Sequence, residues 1–264
     1  MSNFFISKLK TFFGILKYDR FINKENINVL RYFFSSGTSI EIILKYFSTK
    51  DKVVKNQIVY SKKCESFIKD MNDLNLSADW FSQNIPQWID TFQKINLERK
   101  KEIEILEIGS FEGLSAIFFL KYFSNAIITC VDPWEFEKKS KFDKKIIENN
   151  FDNNTKMFKN RLNKFKGSSI AFFAKNQKRY FDLIYIDGSH FFNDVLIDAI
   201  KSFELLKKGG IIIFDDFLWA LNNSYEYPPK EIVIGAINVF LKSKKGKYEI
   251  LFVSYQLIIR KLSD

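Results

Sequence analysis

Residues 103–115 read Ile103-Glu104-Ile105-Leu106-Glu107-Ile108-Gly109-Ser110-Phe111-Glu112-Gly113-Leu114-Ser115. This is a strand, a turn and the start of a helix. Gly109 lets the chain turn sharply and leaves room for a ligand against the backbone. Gly113 lets the helix approach the sheet, and the free N–H groups at the helix start favour a carboxylate or phosphate. A dinucleotide fingerprint counted from Gly109 needs glycines at 111 and 114. Those positions hold Phe111 and Leu114. A pyrophosphate would lose its close backbone approach, which disfavours a nicotinamide-dependent dehydrogenase. Glu107, one residue before the strand ends, is also unexplained by that ligand.

Outward from this turn, the rhythm of the chain divides near residue 95. After it, β-rich runs at 103–108, 126–131, 169–173, 181–186, 211–214, 248–253 and 256–260 alternate with helical stretches at 114–123, 141–150, 195–206 and 230–241. Such alternation predicts an α/β fold: a doubly wound, mostly parallel seven-stranded Rossmann-like sheet. The last two runs are separated only by Ser254-Tyr255, so they pair antiparallel and one strand near the C-terminus is reversed. Ligands of such sheets lie at the carboxyl ends of the strands. The domain expected to bind the ligand spans residues 96–264.

Residues 1–95 read as a helical extension or lid. Phe5, Leu9, Phe12, Phe13 and Leu16 repeat at helical spacing with Lys8, Lys10 and Lys17 between them. A basic amphipathic helix of this kind docks on its own domain or a partner subunit, which allows a homodimer, or makes peripheral membrane contact. Further apolar patterns run over 40–47 and 80–92.

Composition bounds the function less than the motifs do. With 46% hydrophobic and 17% aromatic residues the chain is globular. The net charge is +10, but its lysines are spread along the chain and the runs at 138–145 and 242–247 contain no Arg. They read as solvated faces. Two isolated cysteines, Cys64 and Cys130, make neither a disulfide framework nor a metal pair. No apolar run reaches bilayer length, and no signal-peptide pattern is present. A reducing, cytoplasmic setting is expected.

The segment Glu107-x-Gly109-x-x-x-Gly113 resembles the first motif of the class I S-adenosylmethionine-dependent methyltransferases. Residues 102–219 resemble the small O-methyltransferase branch that includes the catechol, caffeoyl-coenzyme A and macrolide-sugar enzymes. Four further matches follow in order: Val131-Asp132-Pro133-Trp134, Lys166-Gly167-Ser168-Ser169, 181–190, and 207–216 with Gly209-Gly210 at a helix end. The resemblance implies that Glu107, Gly109, Ser110, Gly113, Ser115, Asp132, Trp134 and Ser168 hold S-adenosylmethionine. Asp132 would take the ribose hydroxyls, because a carboxylate accepts two hydrogen bonds at once. Trp134 would stack on adenine and Ser168 would lie beside it. Residues 78–88 resemble a stretch that covers the cofactor, and read equally as core aromatics of a helix.

Asp187, Asp215 and Asp216 end neighbouring strands. Carboxylates suit a hard cation such as Mg²⁺, and in the metal-dependent members of the resembling branch the matching positions hold the ion. Adjacent strand residues point to opposite faces, so Asp215 and Asp216 reach one ion only if the strand has already ended. Otherwise one is structural and one caps a helix. His190, the single histidine, follows the fourth strand and is the candidate general base beside Asp187; the alternative is a loop histidine with an ordinary structural partner. The implied function is O-methylation of a hydroxyl on a small molecule or sugar, assisted by a divalent metal. A nucleic-acid methyltransferase and a non-catalytic S-adenosylmethionine-binding module are the rival readings. The first is disfavoured by the absence of an Arg-rich patch or a base-flipping motif.

Overall fold

The computed structural model describes residues 23–71, 73–135, 143–176, 180–221 and 226–264. The amphipathic pattern over 5–16 and most of the lysine run beginning at 138 lie outside the described residues.

Seven strands form one sheet: β1 (Ile103–Ile108), β2 (Ala126–Asp132), β3 (Leu162–Lys166), β4 (Phe181–Ile186), β5 (Leu206–Phe214), β6 (Tyr248–Val253) and β7 (Leu257–Lys261). Their order is β3-β2-β1-β4-β5-β7-β6. The first five pair in parallel, while β7 runs antiparallel to both β5 and β6. The expected doubly wound sheet with one reversed strand is present. Strand order reverses beside β1, so the crevice between β1 and β4 is the topological switch point at which such sheets bind ligands.

Helices α1 (Lys24–Ser35), α2 (Ile40–Val59), α3 (Ser61–Met71) and α4 (Ile85–Lys94) precede the sheet. Capping sets their starts. Asn23 Oδ1 accepts from Asn26 N at 2.8 Å, and Ser39 caps α2 in the same way. Val29, Tyr32 and Phe33 of α1 and Ile42, Ile43, Tyr46 and Phe47 of α2 are buried with one face of the sheet. Trp88 and Phe92 of α4 are buried with the other. The helices before residue 96 therefore share both hydrophobic cores with the strands. The remaining helices are α5 (Leu114–Tyr122), α6 (Lys144–Thr155), α7 (Ser169–Lys175), α8 (Phe192–Leu205) and α9 (Val233–Ser243). Among the described residues, no helix is long and apolar enough to cross a membrane.

Two sequence expectations are corrected. The run at 169–173 is not a strand but the body of α7. Ser168 Oγ accepts from Ala171 N at 3.2 Å, and this cap turns the chain into a helix that buries Phe172 and Phe173. The third strand is Leu162-Asn163-Lys164-Phe165-Lys166, an edge strand with three exposed polar residues. Its lysines and partial exposure hid it from a search for apolar runs. The second correction concerns Gly209-Gly210, which does not end a helix. It lies inside β5, where the pairing with β4 jumps from Phe181↔Leu206 to Leu183↔Ile211. A Cβ on Gly210 would sit 2.8 Å from the Asp182 carbonyl, so the glycine serves close backbone approach at a bulge.

Candidate active site

A cavity of about 830 Å³ opens across the carboxyl ends of β1, β2, β4 and β5. Its floor is the glycine turn. Gly109 has φ +85°, and a Cβ there would lie 1.9 Å from the Asp187 carbonyl oxygen. The residue type is thus demanded by the neighbouring strand as well as by the turn. Gly113 has φ +84°, and a Cβ would press on Thr155 and Phe151 of α6.

Asp132 ties the first two turns together. Its Oδ2 accepts from Ser110 N at 2.9 Å and Phe111 N at 3.0 Å, and its Oδ1 from Trp134 N at 2.6 Å. Burial raises its pKa, and the three backbone N–H groups work against that rise. Asp132 lines the cavity with Gly109, Ser110, Ser115 and Ser168. Glu107 and Trp134 stand elsewhere. Glu107 is fully buried, and its Oε1 accepts from Ser115 Oγ at 2.6 Å. Burial pushes its carboxyl up to about 7. The expectation that Trp134 faces adenine is not met by its geometry. Its indole is 1% exposed, packs on Phe151 with ring centroids 4.8 Å apart, and donates through Nε1 to the Phe111 carbonyl at 2.8 Å. Pro133 and Glu135 line the cavity at that turn instead.

The acidic end lies at β4 and β5. Strand β5 stops at Phe214, so Asp215 and Asp216 both lie beyond it. Asp216 takes φ +57°, a left-handed conformation that Asp tolerates better than most residues. This resolves the face problem posed by adjacent residues. Asp216 Oδ2 lies 2.6 Å from His190 Nε2, and its Oδ1 accepts from Tyr255 Oη at 2.5 Å. His190 stacks on Trp219 with centroids 4.4 Å apart and planes 21° apart. Tyr185 donates its single hydroxyl proton between two carboxylates, Asp187 Oδ2 at 2.9 Å and Asp215 Oδ2 in a shorter contact. Gln256 Nε2 also donates to Asp215 Oδ2 at 2.6 Å. Burial, then repulsion from Asp215 and Asp216, pushes the Asp187 carboxyl far above its usual range. Burial and Asp216 push Asp215 up to about 6.

These mutually repelling carboxylates, of which Asp215 is buried and Asp187 and Asp216 are partly exposed, are the donor chemistry a hard cation needs, and a divalent ion would relieve the repulsion. In their present positions they face tyrosine, glutamine and histidine partners. Among the described residues, no three acidic, imidazole or thiol groups converge as a finished metal cage. Asp187, Asp215 and Asp216 thus match such an ion in donor chemistry but not in their present arrangement.

Several cavity residues carried no motif. Glu112 is 1% exposed and accepts from Ser77 N at 2.6 Å, Ser77 Oγ at 2.8 Å and Asn150 Nδ2 at 2.7 Å. It fastens the segment before α4 to the glycine turn. Its partners lie more than thirty residues away on either side, so no local spacing announces it. Trp80, within the stretch read as a cofactor cover, lines the cavity and packs on Phe111 at 4.9 Å. Asp198, Trp219 and Tyr255 complete the wall.

The strand order, the glycine turn and an acidic residue at the tip of the second strand are the arrangement that the resemblance to S-adenosylmethionine-dependent methyltransferases leads one to expect. Residues 106–217 match the family model described as a methyltransferase domain. Solved structures agree in fold. The O-methyltransferase from Bacillus cereus, in complex with SAH, gives a TM-score of 0.53 at 15% identity over 80% of this chain and 97% of that one. TomG, an O-methyltransferase from Streptomyces achromogenes involved in tomaymycin synthesis and solved with SAM, gives 0.50 at 14% identity over 76% and 89%. MycE of the mycinamycin pathway, solved with Mg, SAH and mycinamycin VI, gives 0.52 at 15% identity over 70% of this chain and 51% of that one. No curated protein matches the chain by sequence.

Proposed function

We propose that this protein transfers the methyl group of S-adenosylmethionine to a hydroxyl of a small molecule or sugar. The observation that carries this reading is the His190–Asp216 pair, 2.6 Å apart, in the cavity floored by the glycine turn. A base held by a carboxylate beside a methyl-donor site suits an acceptor that must lose a proton.

The bound donor supplies a methyl carbon on a sulfonium, so transfer is an in-line displacement that forms a C–O bond as the C–S bond breaks. The protein's residues prepare the oxygen. His190 bonds Asp216 through Nε2, which leaves Nδ1 to take the hydroxyl proton. Asp216 orients the ring and stabilises the imidazolium that forms, while Trp219 holds the ring's face. Ser110, Ser115, Asp132 and Ser168 present polar groups to the donor over the open backbone at Gly109. Asp187, Asp215 and Asp216 would hold a divalent metal, which when bound lowers the pKa of an acceptor hydroxyl. The segment around Trp80 and the helices before residue 96 would wall the acceptor side, within a cytoplasmic enzyme.

Calorimetry with S-adenosylmethionine and S-adenosylhomocysteine, with Mg²⁺ and with a chelator, tests the core of this reading. Both ligands are expected to bind, and methyl transfer to hydroxyl acceptors is expected to fall on chelation. Absence of binding by either ligand would sink it. Binding without transfer to any hydroxyl acceptor would favour a non-catalytic module.

A further inference from the structure

The outer face of α2 presents apolar side chains that stand exposed among the described residues. The inner face of the helix is turned to α4. Asn56 Nδ2 donates to Gln87 Oε1 at 2.8 Å, and Gln87 Nε2 donates back to the Val53 carbonyl at 3.2 Å. Val54 and Ile58 are four residues apart and so share one side of the helix. They are 66% and 73% exposed, and Val59 beside them is 58% exposed. Large aliphatic side chains gathered in one place mark an interaction surface. Lys52, Lys55, Lys62 and Lys63 flank them and are exposed. Asp51 is the single acidic residue from 51 to 63.

The same helix touches the rim of the cavity. Gln57 Nε2 donates to the Gln83 carbonyl at 3.1 Å, and Gln83 lines the cavity together with Trp80, which is 57% exposed. Charge decides what the outer face can meet. A second copy of this chain, packed face to face, would set the same lysines against one another. The segment before α1 carries Lys8, Lys10 and Lys17, and it meets the same repulsion. A nucleic acid would satisfy the lysines through its phosphates, but Val54, Ile58 and Val59 would gain nothing from them. An anionic lipid surface answers both halves of the pattern. Lysines meet the headgroups while the aliphatic side chains enter the boundary with the acyl chains.

We infer that the outer face of α2 docks on an anionic lipid bilayer, with the mouth of the cavity beside the membrane. The inference stands apart from the S-adenosylmethionine reading, because none of these aliphatic or lysine side chains lines the cavity. Apolar insertion and headgroup attraction act together at such a surface, and losing either weakens the contact. Salt screens the contribution of the exposed lysines. An aspartate placed in the aliphatic stripe would have to give up water at the acyl boundary or hold the helix away from it.

The test is co-sedimentation of the full chain with vesicles of phosphatidylcholine alone and of phosphatidylcholine with phosphatidylglycerol, mixed at about 2:1. The wild type is expected to bind the mixed vesicles at least about tenfold more tightly than the neutral ones, and to be released as salt is raised. The double variant Lys55→Glu, Lys62→Glu is expected to weaken binding by at least about twentyfold, at about fivefold for each lysine lost. Ile58→Asp should weaken it by about tenfold. These positions are exposed, so the Tm of each variant should match that of the wild type. Absence of wild-type binding to the mixed vesicles overturns the inference. So does binding that the variants leave unchanged, which would put the lipid contact elsewhere on the chain. A dimer in sedimentation velocity that Ile58→Asp splits, without vesicle binding, also overturns it and makes a second copy the occupant.

Discussion

His190 Nε2 and Asp216 Oδ2 lie 2.6 Å apart, although 26 residues separate them and Asp216 stands in a left-handed backbone conformation. The pairing requires the turn after β5, because an extended Asp216 would point away from its neighbour Asp215's face. His190→Ala is expected to lower kcat by about 10²- to 10⁴-fold, the usual contribution of a general base. S-adenosylhomocysteine affinity should stay within about twofold, since His190 is assigned to the acceptor's proton. Initial rates and calorimetry on one preparation check both halves.

Gly109 and Asp187 directly follow the adjacent strands β1 and β4 and lie in backbone contact. A Cβ on Gly109 would meet the Asp187 carbonyl at 1.9 Å and would adopt φ +85°. Gly109→Ala is expected to destabilise the fold by at least about 1–3 kcal/mol. It should also weaken S-adenosylhomocysteine binding, because the turn cannot hold its shape. Denaturant titration with and without ligand measures the two effects.

Glu112 gathers Ser77 and Asn150 onto the glycine turn. Glu112→Ala would leave the Ser77 N–H without this partner and free the segment that carries Trp80. The dissociation constant for S-adenosylhomocysteine should rise about tenfold, in line with loss of a buried charged acceptor. Proteolysis near residues 74–80 should accelerate.

A hydrogen-bonded chain links the core to the acidic cluster. Trp88 Nε1 donates to Gln256 Oε1 at 2.7 Å, and Gln256 Nε2 donates to Asp215 Oδ2. Trp88→Phe keeps most of the packing but leaves the buried Gln256 oxygen without its donor. A loss of about 1–3 kcal/mol is expected by denaturant titration, with a smaller effect on cofactor binding than on turnover.

Glu107 makes stability fall with pH. Its folded carboxyl is raised by burial to about 7 from an ordinary 4.5. The native state therefore keeps a proton that the unfolded chain releases above pH 4.5. Stabilisation is full below about pH 4.5 and is lost as pH rises to about 7, by on the order of 3 kcal/mol. Glu107→Gln should flatten the part of the Tm slope between pH 5 and 8 that this group supplies. A variant with the wild-type slope would show that Glu107 is ionised in the folded protein.

The alternation of β-rich and helical runs made the sheet legible, because a buried parallel strand must be apolar and its helices amphipathic. The reversed β7 was legible from the short gap before it, too short for a crossover. β3 was not, because an edge strand has water on one side and its lysines look like a loop's. Gly109, Asp132, Asp187, Asp215 and Asp216 line one cavity, and that neighbourhood was legible because each follows or ends a strand on the same edge of the sheet.

What the amino-acid sequence determined by itself was therefore the alternation of strands and helices apart from β3, and the glycine turn on which a methyl donor would rest, since both follow from backbone sterics and apolar spacing. The tertiary structure decided which side chains meet. It turned the Trp134 indole onto Phe151, set Glu107 beneath the cavity and brought Glu112, Asp198 and Tyr255 to its wall. These placements depend on the packing of helices against the sheet across tens of residues. Only the folded chain brings such separations within the few ångströms that a hydrogen bond requires.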